Sequence, residues 1–272
     1  TNNTVDDTKP QISGLNVVWE RQTVDPTVQL SNIDIYLYNG TNTTKISNHS
    51  GDDVNPVISG SNVAWVSFFD IDPDPNVDEQ SPEIFFYNGA TTRRLTNNTK
   101  YEYAPQISGS NVVWVGQDSN FFNQVFLFNG STVQQVTTGT SDIQSNVQVS
   151  GTNIAWENRT GLVTKDIYLY NIGTRIANKI GSTLTDGSSN LVLSGSNAAW
   201  YSFDGNDMEV FFYDGTRARQ ITNNAVNELG IDLSGGNVSW SQHGGNGIFV
   251  YNGTSIGRVS ARGGLSAISG DY

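Results

Sequence analysis

The 272-residue chain contains no cysteine, which excludes disulfides, thiolate metal centres and cysteine nucleophiles. Histidine is nearly absent. His49 lies in a polar connection and His243 in a Gln-His-Gly-Gly-Asn-Gly segment, and neither accompanies a Gly-x-Ser-x-Gly nucleophile motif. No His-rich metal-hydrolase spacing is present, and no glycine-rich segment opens a helix that could hold phosphate. No apolar run approaches the roughly 20 residues of a membrane-spanning helix. The first nine residues, Thr-Asn-Asn-Thr-Val-Asp-Asp-Thr-Lys, lack the basic flank and apolar stretch of a signal peptide. Direct membrane insertion is therefore not expected. Basic charge is scarce as well: 14 Lys and Arg stand against 26 Asp and Glu, a net charge of −12. Such a balance repels a phosphate backbone, so nucleic acid is not expected as a partner. Helical periodicity is missing throughout. What remains is acidic, lysine-poor and rich in Asn, Thr, Ser and Gly, a composition that leans toward an extracellular, cell-surface or periplasmic location.

What is present is a repeat. The stretches PQISGLNVVW, PVISGSNVAW, PQISGSNVVW, VQVSGTNIAW, LVLSGSNAAW and IDLSGGNVSW end at Trp19, Trp65, Trp114, Trp156, Trp200 and Trp240, which are all six tryptophans of the chain. A second motif follows each after a variable gap: DIYLYNGT, EIFFYNGA, QVFLFNGS, DIYLYNIG, EVFFYDGT and GIFVYNGT. A short polar segment such as TTKIS or TRRLT closes the unit. Each unit reads as strand A, a tight Ser-Gly-x-Asn turn, strand B ending in Trp, a loop of varying length, strand C, an Asn-Gly turn and strand D. Successive tryptophans are 46, 49, 42, 44 and 40 residues apart, the period of a four-stranded propeller blade. The fold class expected is therefore all-β: a six-bladed β-propeller of four-stranded antiparallel blades, one domain over residues 1–272. Its repeats run over about 1–47, 48–96, 97–137, 138–180, 181–222 and 223–260, and residues 261–272 begin a seventh repeat or close the ring. An isolated blade has two apolar faces and must stack on neighbours, so the tryptophans are expected to pack between blades.

The pattern resembles the TolB-type β-propeller repeats. An acidic residue stands three before a proline at Asp7 and Pro10, Asp53 and Pro56, and Glu102 and Pro105, and the IYLYNG and RRLTNN segments match as well. The Ser-Pro-Asp-Gly turn of that family is here Ser-Gly-x-Asn, strand A of the last three repeats has no proline, and no α/β domain precedes the repeats. The resemblance implies a six-bladed ring and protein binding at a pore mouth.

Function is sought where the repeat breaks or where its side chains converge. Between strands B and C of the second repeat, FFDIDPDPNVDEQSPE carries Asp70, Asp72, Asp74, Asn76 and Asp78, whose alternating oxygens suit a Ca²⁺ ion, against the alternative of a solvated acidic loop. The shorter FDGNDME of repeat five, with Asp204, Asn206, Asp207 and Glu209, reads as a polar hairpin turn. Asp7, Asp53, Glu102, Asp142, Asp186 and Glu228 recur ahead of strand A and are candidates for an acid-lined pore mouth that takes a cation or a basic peptide. The alternative is that each accepts hydrogen bonds inside its own repeat. Phe68, Phe69, Tyr101, Tyr103, Phe121, Phe122, Tyr201 and Phe203 are candidates for a sticky rim, with about half expected to tuck between blades. No acid stands in an isolated apolar context that would raise its pKa. Asn39, Asn42, Asn48, Asn97, Asn129, Asn158, Asn237 and Asn252 begin Asn-x-Ser/Thr sequons, several of which the repeated Asn-Gly turn creates automatically.

The function expected is that of a non-catalytic interaction module, monomeric as a domain, that recognises a protein partner. A carbohydrate-binding propeller is the alternative and a carbohydrate-active enzyme the second alternative. Ca²⁺ is the one cofactor the residues suggest.

Overall fold

The computed structural model describes residues 5–24, 31–47, 51–70, 80–140, 146–184, 189–245 and 247–262. The chain divides into two compact units, Thr1–Thr140 and Ser141–Tyr272. Each unit contains three four-stranded sheets, and each sheet takes its strands in chain order and pairs them antiparallel. In the first unit these are β1 (Asp7–Ser13), β2 (Asn16–Val24), β3 (Ser31–Tyr38) and β4 (Thr43–Lys45); β5 (Asp52–Ser59), β6 (Asn62–Asp70), β7 (Gln80–Tyr87) and β8 (Thr92–Arg94); and β9 (Glu102–Ser108), β10 (Asn111–Gln117), β11 (Asn123–Phe128) and β12 (Val133–Gln135). In the second they are β13 (Gln148–Ser150), β14 (Asn153–Arg159), β15 (Thr164–Asn171) and β16 (Ile176–Leu184); β17 (Val192–Ser194), β18 (Asn197–Phe203), β19 (Met208–Tyr213) and β20 (Ala218–Gln220); and β21 (Glu228–Ser234), β22 (Asn237–Gln242), β23 (Ile248–Tyr251) and β24 (Ile256–Ser260). Among the described residues the only helical element is a single 3-10 turn at His243–Gly245, and no helix is long and apolar enough to cross a membrane.

The turns follow from single residues. The glycine of each Ser-Gly-x-Asn turn has φ between +56° and +61°. A Cβ added at Gly14, Gly60, Gly109, Gly151 or Gly195 would meet no atom within 4 Å, so the left-handed backbone and not crowding demands glycine there. At the turn between strands C and D, Asn39 Oδ1 accepts from the backbone N–H of Thr41 (3.1 Å) and Asn42 (2.8 Å). Asn88, Asn129, Asn171, Asp214 and Asn252 repeat this bond, which is why a short Asx side chain recurs.

The Ser-Gly-x-Asn turn does more than reverse the chain. Ser13 Oγ accepts from Gly60 N (2.8 Å) while Asn16 Nδ2 donates to Gly60 O (2.8 Å), so the serine and asparagine of one turn grip the glycine of the next. The same two-bond staple joins Ser59 and Asn62 to Gly109, Ser150 and Asn153 to Gly195, and Ser194 and Asn197 to Gly235.

The tryptophans pack as the sequence suggests. Each stacks on the aromatic residue opposite it in strand C, with ring centroids 5.7–6.1 Å apart. Trp65 joins Val18, Ile35 and Leu37 of the preceding sheet in one core. Trp114 does so with Ala64, Val66 and Ile84, Trp200 with Ala155 and Ile167, and Trp240 with Ala199, Val210 and Phe212. Burying a ring of ~200 Å² is worth about 5 kcal/mol of apolar transfer before conformational entropy is charged against it.

Candidate functional site

Two positions of the repeat bring carboxylates to the interior, and the hairpin geometry puts them there. The first is the strand A acid. In β1, β5 and β9 the residue before proline takes positive φ (Lys9 47°, Asn55 55°, Ala104 53°), and the strand register slips at that point. This bulge turns the acid three residues before the proline toward the tryptophan of strand B. Trp19 Nε1 donates to Asp7 Oδ1 (2.8 Å), Trp65 Nε1 to Asp53 Oδ1 (2.8 Å) and Trp114 Nε1 to Glu102 Oε2 (2.5 Å). Asp7 also holds Arg21 at 2.7 Å. Glu228 occupies the corresponding place in β21, but its carboxyl turns to Asn224 Nδ2 (2.6 Å), and Trp240 Nε1 has no hydrogen-bond partner among the described residues. Asp53, Glu102 and Glu228 are buried. Desolvation raises the Glu102 carboxyl to about 7, against the lowering effect of its bonds from Asn98 and Trp114. Desolvation likewise raises Glu228 to about 7, with Glu209 nearby adding to the rise. The sequence offered no reason to expect an acid with a raised pKa, because the burial comes from the stacking of sheets. Asp142 and Asp186 lie outside the described residues.

The second carboxylate begins strand C. Asp34, Glu83 and Glu209 are buried, and so is the neutral Gln124 at the same place in the third sheet. In each of these four sheets a Ser or Thr just after strand D (Ser47, Thr96, Thr137, Thr222) accepts the backbone N–H of the residue following the strand C position. A basic residue of strand D neutralises most of these acids: Lys45 reaches Asp34 at 2.7 Å, Arg94 reaches Glu83 at 3.1 Å, and Lys179 reaches Asp166 at 2.8 Å. Two further buried acids follow the tryptophan in strand B. Glu20 pairs with Lys9 at 3.0 Å and Glu157 with Lys165 at 2.9 Å.

The aromatic candidates separate. Tyr101 is 59% exposed, Phe121 65% and Phe203 41%, whereas Phe68, Tyr103 and Phe122 are half-buried. Tyr201 corrects the expectation of a rim position. It is 3% exposed, because the residue after Trp200 faces the next sheet and packs with Ile231, Val238 and Trp240. The side chain of Phe69 lies outside the described residues, as do the Asp70 side chain, Asp72, Asp74, Asn76 and Asp78, so the acidic insertion stays a sequence expectation. The sequence reading missed Leu162. It is 88% exposed in the turn between β14 and β15, the same turn that carries Phe121 between β10 and β11. Lys100 Nζ sits 3.2 Å from the centroid of the Phe121 ring, a cation–π contact.

No family model and no curated protein matches the chain. Solved structures do. The β-propeller domain of the Trilobed protease from Pyrococcus furiosus superposes with a TM-score of 0.60 at 13% identity, over 95% of this chain and 86% of that one. Dipeptidyl peptidase 4 of Porphyromonas gingivalis gives 0.64 at 13% identity, over 93% of this chain and 46% of that one. The acylaminoacyl peptidase of Pyrococcus horikoshii gives 0.57 at 12% identity, over 98% and 47%. The chain thus spans just under half the length of the two peptidases. At such identities the likeness carries the fold alone. Together with six four-stranded antiparallel sheets, it defines a six-bladed β-propeller. The resemblance extends to propellers in general, and the sheets are the blades.

Proposed function

We propose that the chain is a non-catalytic binding module of an exported or cell-surface protein, and that it recognises a protein partner through the strand B to strand C turns of blades 4 and 5. The observation that carries this reading is the exposure of Leu162 in that turn of blade 4 and of Phe203 at the entrance to that of blade 5. Large apolar side chains are seldom left in water at successive repeats without something to cover them. The strand A acids offered for a pore mouth are instead engaged inside their blades at Asp7, Asp53 and Glu102, which favours the turn edge as the contact surface. Propeller domains that accompany a separate catalytic part, as in the peptidases of similar fold, fit a module of this kind, and we read its repeat as TolB-type.

The test compares the native chain with the double variant Leu162→Ser, Phe203→Ser, both immobilised and exposed to a secreted and cell-surface protein fraction. A protein that the native chain retains, that rebinds saturably once purified and that the variant loses would support the reading. Equal retention by both, or saturable binding on a glycan array that the variant keeps, would overturn it in favour of another surface or a carbohydrate ligand.

A further inference from the structure

We propose that the strand B to strand C turn of blade 5 holds a hard divalent cation, Ca²⁺, on the carboxylates of Asp204, Asp207 and Glu209. This goes beyond partner recognition and does not depend on it.

The internal repeat supplies the first argument. In blades 1, 2 and 4 the strand C carboxylate (Asp34, Glu83, Asp166) is neutralised by the strand D residue paired with the aromatic two positions further along: Lys45 opposite Tyr36, Arg94 opposite Phe85 and Lys179 opposite Tyr168. Blade 3 is neutral on both sides. Gln124 there accepts from Thr137 Oγ1 (2.8 Å) and donates to Gly139 O (3.0 Å), and Gln135 stands opposite Phe126. Blade 6 has Gly247 in place of an acid, and Arg258 lies against it. Blade 5 alone keeps the acid, Glu209, and has a neutral residue, Gln220, opposite Phe211. No Lys or Arg forms an ion pair with Asp204, Asp207 or Glu209 among the described residues. A positive charge that its sister blades supply from strand D is missing here.

The second argument is geometric. One carboxylate oxygen from each of Asp204, Asp207 and Glu209 lies within 4.8 Å of the others, no farther apart than ligands on opposite sides of a Ca²⁺ ion at about 2.4 Å. Glu209 is 0% and Asp207 6% exposed, yet Glu209 Oε2 and Asp207 Oδ2 accept no hydrogen bond. The remaining oxygens are in use. Asn224 N donates to Glu209 Oε1 (2.7 Å), and Asn206 Nδ2 donates to Asp207 Oδ1 (2.9 Å). Asp204 is exposed, its Oδ1 accepting from Asn206 N (2.9 Å) and Asp207 N (3.3 Å), so it forms the open side through which an ion and its remaining waters enter. Buried, unpartnered carboxylate oxygens need either a cation or a proton. The all-oxygen, all-carboxylate donor set selects a hard divalent ion.

The experiment measures the melting temperature of the full chain in Ca²⁺, in Mg²⁺ and in chelator, with calorimetric titration of Ca²⁺ for stoichiometry. At a hundredfold excess over Kd, Ca²⁺ should raise the melting temperature by about 5 °C. Asp207→Asn and Glu209→Gln should each abolish that rise. Gln220→Arg should restore the arrangement of blade 2, melting higher than the native chain in chelator and responding no further to Ca²⁺. Asp72→Asn with Asp74→Asn should leave the response intact. No response of the native chain at millimolar Ca²⁺ would overturn the proposal. A response that survives in Glu209→Gln or Gln220→Arg, or one lost only in the Asp72 and Asp74 variant, would overturn it as well.

Discussion

Replacing Gly116 by alanine should cost this propeller about 3 kcal/mol, although the change adds a single methyl group. Gly116 is paired with Glu102 across the hairpin of β9 and β10, and a Cβ built on it would lie 2.1 Å from Glu102 Oε2, 2.9 Å from Glu102 Cδ and 3.1 Å from Phe126 Cδ2. The carboxyl cannot simply move aside, because it is buried and accepts from Trp114 Nε1 (2.5 Å) and Asn98 Nδ2 (2.9 Å). The sister blades show the outcome. Where the paired residue has a side chain, the acid is either the shorter Asp, as in Asp7 with Arg21 and Asp53 with Ser67, or it loses the tryptophan, as Glu228 does beside Gln242. Loss of the Trp114 bond is worth about 1–2 kcal/mol and the overpacking about as much again, which lowers the melting temperature by about 8 °C at this chain length. Thermal melts followed by tryptophan fluorescence would show it. Adding Glu102→Asp should recover most of the loss by recreating the Asp53 and Ser67 arrangement. A neutral Gly116→Ala, or a double variant whose cost is the sum of the two single ones, would refute the steric coupling.

Glu102 also makes stability depend on pH. Its folded-state pKa, raised to about 7 by desolvation, exceeds the unfolded value near 4.5, so the folded state binds the proton more tightly. The group's stabilising contribution is complete below about pH 4.5 and is lost as pH rises through about 7, a change of about 3 kcal/mol. Denaturant titrations at pH 5 and pH 8 should show this fall on top of the one due to Glu228, which is raised likewise, and Glu102→Gln should remove the Glu102 share of it; an unchanged pH dependence in the variant would count against the assignment. Arg94→Gln would leave Glu83 buried without its counter-charge and should cost about 3 kcal/mol by the same denaturant assay, whereas a change under half of that would refute the ion pair's role. Asn62→Ala removes one bond of the staple to Gly109 and should cost about 1 kcal/mol; an unchanged melting temperature would show that the asparagine bond adds nothing to the serine bond and the apolar core that blades 2 and 3 share.

Much of this architecture was legible in the residues. The alternation of β-branched and aromatic residues, the glycine with positive φ and the short Asx side chain at each turn act within a few residues of themselves. Six copies of Ser-Gly-x-Asn, each followed by an Asn or Asp at the turn after strand C, therefore announce six sets of hairpins, and a tryptophan at one fixed place announces a packed interface. The acidic motif three residues before proline was visible too, but its role was not. Bonding Asp53 to Trp65 requires a bulge that no single residue declares, and the same motif read equally well as a pore lining.

What the sequence determined by itself is local: strands, turns, the period of the repeat and hence the propeller. What only the tertiary structure decided are relations between distant residues. That Asn16 grips Gly60, that Tyr201 is covered by the next blade while Leu162 is left in water, and that Glu209 faces Gln220 where its counterparts face Lys or Arg all depend on strand register and on how one sheet lies against the next. The physical reason is that hydrogen bonding and backbone conformation act between near neighbours in the chain, whereas desolvation and charge pairing are set by whatever the stacking of sheets brings together.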